Sequence, residues 1–153
     1  MKAEYVNPFL EAVINILGEF GIEGIKRGNI FKKDRFYVSM DITSVIGLIG
    51  DIRGNISYSL SQETAKNIVS AMMMGMHIEQ MDDMARSAIG ELANMITGKA
   101  AVLLEKKGVD VDITAPSVIF GKDIYMIISS VEAICVELNT PFGIMEVGIG
   151  LEI

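Results

Sequence analysis

The chain has one cysteine and one histidine in 153 residues. A lone Cys135 excludes an intramolecular disulfide, and with only His77 beside it no Cys/His metal cluster can be assembled. Cys135 falls in the apolar run VEAICVEL and reads as a buried bystander. His77 has no second ligand near it and reads as a loop residue. No Gly-x-Ser-x-Gly elbow is present either, so a conventional hydrolytic triad has nothing to build on. Cations are scarce: 13 Lys and Arg stand against 20 Asp and Glu, for a net charge of -7. That balance argues against nucleic acid and against an anionic membrane surface, and it leaves basic patches on proteins as partners. No apolar run reaches the roughly 18 residues of a transmembrane helix. The opening MKAEYVNPF lacks a signal-peptide layout, because Glu4, Asn7, Glu11 and Asn15 interrupt it. A cytoplasmic protein is the expectation.

Half of the residues are hydrophobic, so a real core is expected. The length suits a single domain spanning 1–153, with no linker or low-complexity segment to divide it. Eleven methionines are present. Met72, Met73, Met74, Met76, Met81 and Met84 crowd together and read as adaptable packing between two helices, with a flexible recognition rim as the alternative.

In chain order, Asn7-Pro8 opens a helix as N-cap and first-turn proline, with Phe9, Val13, Ile16, Leu17 and Phe20 on its apolar face. Gly18 or Gly21 ends it. Residues 22 to 31 read as a strand, and Lys32, Lys33 and Asp34 as a turn. Phe36 to Thr43 alternates as a half-buried strand, VIGLIG continues it, and DIRGN is a hairpin loop before ISYSL. Ser61 caps a second helix to about Met74. After the third helix, VDVDIT is a strand that ends, bulges or lies at an edge at Pro116. Gly121-Lys122-Asp123 turns, IYMIISSVEAICVEL is a long strand region, and IMEVGIGLEI is a terminal strand and candidate edge. The order predicts an α+β fold: an antiparallel sheet with long helices packed on it, in pseudo-twofold halves of one helix plus three strands.

The third helix, Asp82 to Gly108, carries the most deliberate polar chemistry. Asp82 and Asp83 suit its start, Lys106 and Lys107 its last turn, and Gly108 a left-handed cap. Ala85, Ile89, Leu92, Ile96 and Leu103 form the stripe expected to be buried. Ser87, Glu91, Asn94 and Gly98 recur at four, three and four, on one line rotated away from it. Such residues also make an ordinary solvated face, and Glu-x-x-Asn alone is a weak pattern. A second instance, Glu4-x-x-Asn7, is assigned to helix capping. Gly98 leaves a hole beside Asn94 where a partner can approach closely.

Extended to Ser87, Glu91, Asn94 and Pro116, at spacings of four, three and twenty-two, the pattern resembles the CheC/CheX/FliY group of chemotaxis phosphatases. SAIGELANMITGKA, YVNPFLEAVINIL and IGLIGDIRGNISYSLS are similar to the CheX branch, and the likeness spans essentially the whole chain. It implies hydrolysis of the aspartyl-phosphate on a phosphorylated receiver domain such as CheY. Asn94 would position the attacking water and Glu91 would contact a receiver lysine. Ser87 and Gly98 would lie in the partner contact, with Pro116 setting shape. It further implies no cofactor of the chain's own, Mg2+ held by the receiver, and a homodimer formed through the sheets. Glu11/Asn15 and Glu4/Asn7 do not match the second pair of the CheC branch, so one site per chain is expected. The alternative is a non-catalytic dimeric adaptor that binds receivers or a motor component on the same fold.

Overall fold

The computed structural model describes residues 3–33, 36–38, 40–121, 124–126 and 132–152. The elements are α1 (Ala3–Glu19), β1 (Lys26–Lys33), β2 (Phe36–Val38), β3 (Ile42–Gly50), β4 (Arg53–Leu60), α2 (Gln62–Met72), α3 (Asp83–Glu105), β5 (Val111–Ile113), β6 (Ser117–Phe120), β7 (Ile124–Met126), β8 (Ala133–Thr140) and β9 (Gly143–Glu152). The expected α+β class is what the chain adopts. A seven-stranded antiparallel sheet runs β1-β8-β9-β4-β3-β5, with β6 also paired to β3, and β2 pairs with β7 in a separate ribbon.

The sheet order is a palindrome. β1 from the first half pairs with β8, and β6 from the second half pairs with β3. The hairpins β3–β4 and β8–β9 meet at the centre, where β4 pairs with β9. Each half therefore places a helix, α1 or α3, before strands that it partly exchanges with the other half. α1 and α3 pack on the sheet face presented by Ile46, Ile56, Leu138, Met145 and Ile149, all fully buried.

Several local expectations are corrected. α1 starts at Ala3, so Asn7 is no cap and Pro8 lies inside the helix. The earlier start buries Val6, and the Pro8 ring is itself buried. This burial offsets the backbone bond a proline cannot make. The Asn7 carboxamide oxygen instead accepts a hydrogen bond from Arg27 Nη2 at 2.9 Å. Lys32 and Lys33 belong to β1, opposite Ile134 and Ala133. Lys33 fits there because its ammonium meets the Glu146 carboxylate at 2.5 Å and lies 5.5 Å from the Phe31 ring centre. The strand expected through Phe36 to Thr43 breaks at Met40–Asp41, where Asp41 Oδ2 accepts the backbone N–H of Gln62 at the start of α2. The strand region expected over 124 to 138 is two strands, β7 and β8. The expected turns at Asp34 and at Lys122-Asp123, and residues 127–131, lie outside the described residues.

The terminal strand is no edge. β9 sits between β8 and β4, and residues 145–151 are buried on both of its faces. Alternating apolar residues meet the helices there, while Gly148 and Gly150 on the other face stand opposite Cys135 and Asn55. Pro116 separates β5 from β6 along one edge of β3, as its missing N–H requires.

The β4–β9 seam leaves no room for a side chain at Gly54, where an added Cβ would overlap the Gly150 carbonyl oxygen. Gly54→Ala is expected to lower unfolding free energy by about 1–3 kcal/mol, as overpacking does. Urea unfolding of the two proteins checks this, and an unchanged midpoint would contradict it.

Candidate functional site

α3 is fixed at both ends by its own sequence. The Asp82 side chain caps it by accepting from Ala85 N at 2.9 Å. The helix ends at Glu105, so Lys106 and Lys107 fall just beyond its last turn. Gly108 has φ 80, with Gly108 N bonded to the Glu105 carbonyl and Val109 N to the Leu104 carbonyl. This is the Schellman arrangement, which ties off the last carbonyls.

Ala85, Ile89, Leu92 and Ile96 are buried, as expected. Leu103 is only half-buried and Leu104 takes the sealed position, because the apolar stripe drifts around a 3.6-residue helix. Two internal contacts set the rotation of the helix. Thr97 Oγ1 meets the buried Tyr58 hydroxyl at 2.8 Å and donates to the Ala93 carbonyl. Burial raises the Tyr58 pKa well above the usual tyrosine value and keeps the phenol neutral. At Gly90, an added Cβ would lie 3.4 Å from Val118 Cγ2 and 3.7 Å from Pro116 Cγ. Pro116 thus packs beside the helix and shapes the rim of the stripe.

The opposite ridge is open. Ser87 and Glu91 are exposed, and Asn94 and Gly98 are partly exposed. Glu91 and Asn94 stand about 60° apart around the axis and about 4.5 Å apart along it. Neither side chain makes a hydrogen bond or ion pair with any described residue. The carboxamide therefore keeps its acceptor oxygen and both donor hydrogens available. Space around Gly98 is empty: nothing lies within 4 Å of an added Cβ.

The pseudo-twofold gives Glu4 and Asn7 a meaning that capping does not. Gly21 and Gly108 end α1 and α3 with the same pair of backbone bonds, 87 residues apart. Glu4 and Asn7 precede Glu91 and Asn94 by that same interval. Their exposure matches too, with Glu4 exposed and Asn7 partly so. They differ in that the Asn7 oxygen is already bound to Arg27 and Glu4 too has an interaction within the chain.

The remaining candidates separate cleanly. Met81 is buried and Met72 and Met73 pack against the core, whereas Met74, Met76 and Met84 are exposed. His77 is exposed in the α2–α3 connector. Cys135 is buried, and desolvation pushes its thiol up to about 12 despite the nearby Lys33. Among the described residues, no three His, Cys, Asp or Glu side chains gather to hold a metal, and no helix is long and apolar enough to cross a membrane.

Comparison with known proteins bears on this geometry. Residues 42–139, which hold all of α3 and the stripe, match the family described as Chemotaxis phosphatase CheX. The chain belongs to the CheX family. The CheY-P phosphatase CheX of Thermotoga maritima is 43% identical over 125 residues, covering 81% of this chain and 80% of that protein. A CheC-like superfamily protein from Shewanella sp. PV-4 superposes with a TM-score of 0.88 at 28% identity, over 99% of both chains. A CheX from Borrelia burgdorferi, in a complex with CheY, beryllium fluoride and magnesium, superposes with a TM-score of 0.82 at 28% identity, over 99% of this chain and 100% of that one. The CheX fold thus frames the open Glu91–Asn94 ridge.

Sequence reasoning missed Gly90. The signal was a glycine amid the short, tightly spaced residues of SAIGELAN, but nothing in the pattern says that β6 crosses there. Gly98 is the test of a partner's approach. Gly98→Ala is expected to stabilise the fold by about 0.5–1 kcal/mol, since alanine is the better helix former and meets no neighbour. The same change is expected to weaken receiver binding. A variant that gains stability and binds a beryllofluoride-loaded receiver as well as the native protein would show that Gly98 is no part of the contact.

Proposed function

We propose that the chain hydrolyses the aspartyl-phosphate of a CheY-like receiver, with Asn94 positioning the attacking water and Glu91 docking the receiver. The observation that carries this reading is the Asn94 carboxamide, without a partner among the described residues and raised on a capped helix in a CheX fold. The Thermotoga relative, a CheY-P phosphatase, and the Borrelia relative, in complex with CheY, support the same substrate.

The chemistry asks little of the helper. In an acyl phosphate the leaving group is a carboxylate, so departure needs no strong acid. Water attacks phosphorus, the bond from phosphorus to the aspartyl oxygen breaks, and aspartate and inorganic phosphate result. Asn94 can accept a hydrogen from that water through Oδ1 and so hold it in line, without titrating. A hundredfold gain corresponds to about 2.7 kcal/mol, within reach of one or two placed hydrogen bonds. The magnesium ion that offsets phosphoryl charge belongs to the receiver in this reading. Glu91, carrying no ion pair with any described residue, is available for a charge-assisted contact with a receiver lysine. Ser87 lies one turn before Glu91 and completes the rim. The homodimer is part of the same proposal, with β1, a sheet edge that exposes Ile30, as the strand through which it would pair.

The test follows receiver phosphate with native protein and with Asn94→Ala. The native protein is expected to shorten the lifetime of the phosphorylated receiver. Asn94→Ala is expected to lose roughly a hundredfold of that effect while still binding the beryllofluoride form. Full activity in the variant would overturn the mechanism. Binding of the native protein with no change in phosphate lifetime would instead make the chain a non-catalytic adaptor.

A further inference from the structure

Five residues before Glu91 on α3, the side chain of Arg86 is held in a way that a solvated arginine is not. Its guanidinium carbon lies 4.3 Å from the centre of the Phe120 ring. Its Nε donates to the Met81 carbonyl oxygen at 2.9 Å. The residue is nonetheless exposed, and its terminal nitrogens make no hydrogen bond or ion pair with any described residue. Arg86 lines an open cleft of about 570 Å³ between the starts of α2 and α3 and the end of β6. Phe120 and Ile42 line its apolar part, and Gln62, Gln80 and Asp41 its polar part. Asp41 is already engaged, accepting the Gln62 backbone N–H at 2.8 Å.

An arginine side chain has many rotamers, and that freedom is normally lost when it binds. Here ring stacking and the Nε bond fix the plane beforehand, and the far edge of the fork meets no partner among the described residues. That edge matches a carboxylate in two parallel hydrogen bonds. On the helix, Arg86 lies about 80° from Asn94 around the axis and about 12 Å from it along the axis. One phosphoryl group cannot reach both, so the anion that Arg86 takes is a separate one. Arg86 and Glu91 carry opposite charges about 140° apart around the axis and about 7.5 Å apart along it, so they flank the Asn94 line on either side. Such a pair admits a complementary partner in one direction and repels it in the other.

Building on the receiver-phosphatase reading, we propose that Arg86 is a specificity-determining residue whose guanidinium, pre-set by Phe120 and Met81, pairs with a carboxylate on the receiver surface flanking the phosphorylated aspartate. Its role is docking and orientation. The water and the phosphoryl group remain with Asn94.

Arg86→Met keeps an unbranched stem over Phe120 and removes the charge. With the CheY-like receiver as substrate, this variant is expected to raise KM roughly tenfold, with kcat within about twofold of native, the signature of lost docking contact. The salt dependence of KM is expected to flatten, and the Tm to stay within a few degrees of native. Arg86→Lys, which keeps the charge without the planar fork, is expected to recover part of the affinity. Binding to the receiver loaded with beryllium fluoride and magnesium reads the same affinities without turnover. The proposal is overturned if Arg86→Met binds within about twofold of native, or if affinity is lost only in step with Tm. Asn94→Ala measured alongside separates the two claims. If it still abolishes turnover while Arg86→Met is unaltered, only the docking role falls. If the native protein does not bind the receiver, the site reading falls and the docking role falls with it.

Discussion

The rotation of α3 about its own axis decides what the molecule can offer a partner. Ala85, Ile89, Leu92 and Ile96 are sealed against the sheet. The buried Tyr58–Thr97 hydrogen bond and the close approach of Val118 and Pro116 to Gly90 hold that face in place. A turn of one residue, about 100°, would carry the Asn94 amide toward the apolar interior. Burying an amide without a partner costs roughly 1–3 kcal/mol, so the same packing that stabilises the helix also enforces the exposure of the ridge. In the proposed mechanism this side chain, hydrated in the free protein, exchanges bulk water for one placed water beside a phosphoryl group on another protein.

The pseudo-twofold sharpens this point. The fold presents two equivalent ridges, one on each long helix, and each carries a glutamate and an asparagine three residues apart. On α1 the asparagine oxygen is held by Arg27 and the next residue is Pro8. On α3 the corresponding amide has no partner among the described residues. Identical spacing therefore leads to different surroundings, with a guanidinium reaching across from β1 to one asparagine and not to the other.

Much of this was legible in the sequence, and the losses have physical causes. The caps of α3, the end of α1 at Gly18 or Gly21, the Ser61 cap of α2 and the polar ridge itself all follow from short-range rules, because each is set within one or two helical turns. Pro116 was legible as a strand break for the same reason. What failed depended on distant residues. Lys33 reads as a turn until Glu146, 113 positions away, is known to neutralise it. Asn7-Pro8 reads as a helix start because no local rule records that Val6 will be buried or that Arg27 will bind the amide. The terminal strand reads as an edge because pattern alone cannot say that β4 and β8 close on it from both sides. Arg86 carried no signal at all, since Phe120 is 34 residues ahead of it in the chain.

The central claim is that the Asn94 carboxamide, open in the free protein, is the group that enters the receiver's phosphorylation site. Its side-chain 15N–1H2 resonances report this directly. On addition of a receiver loaded with beryllium fluoride and magnesium, they are expected to shift and to become protected from exchange with water, while the backbone signals at Leu92 and Ile96 in the sealed stripe stay in place. A complex that forms with the Asn94 amide resonances unmoved would contradict the account.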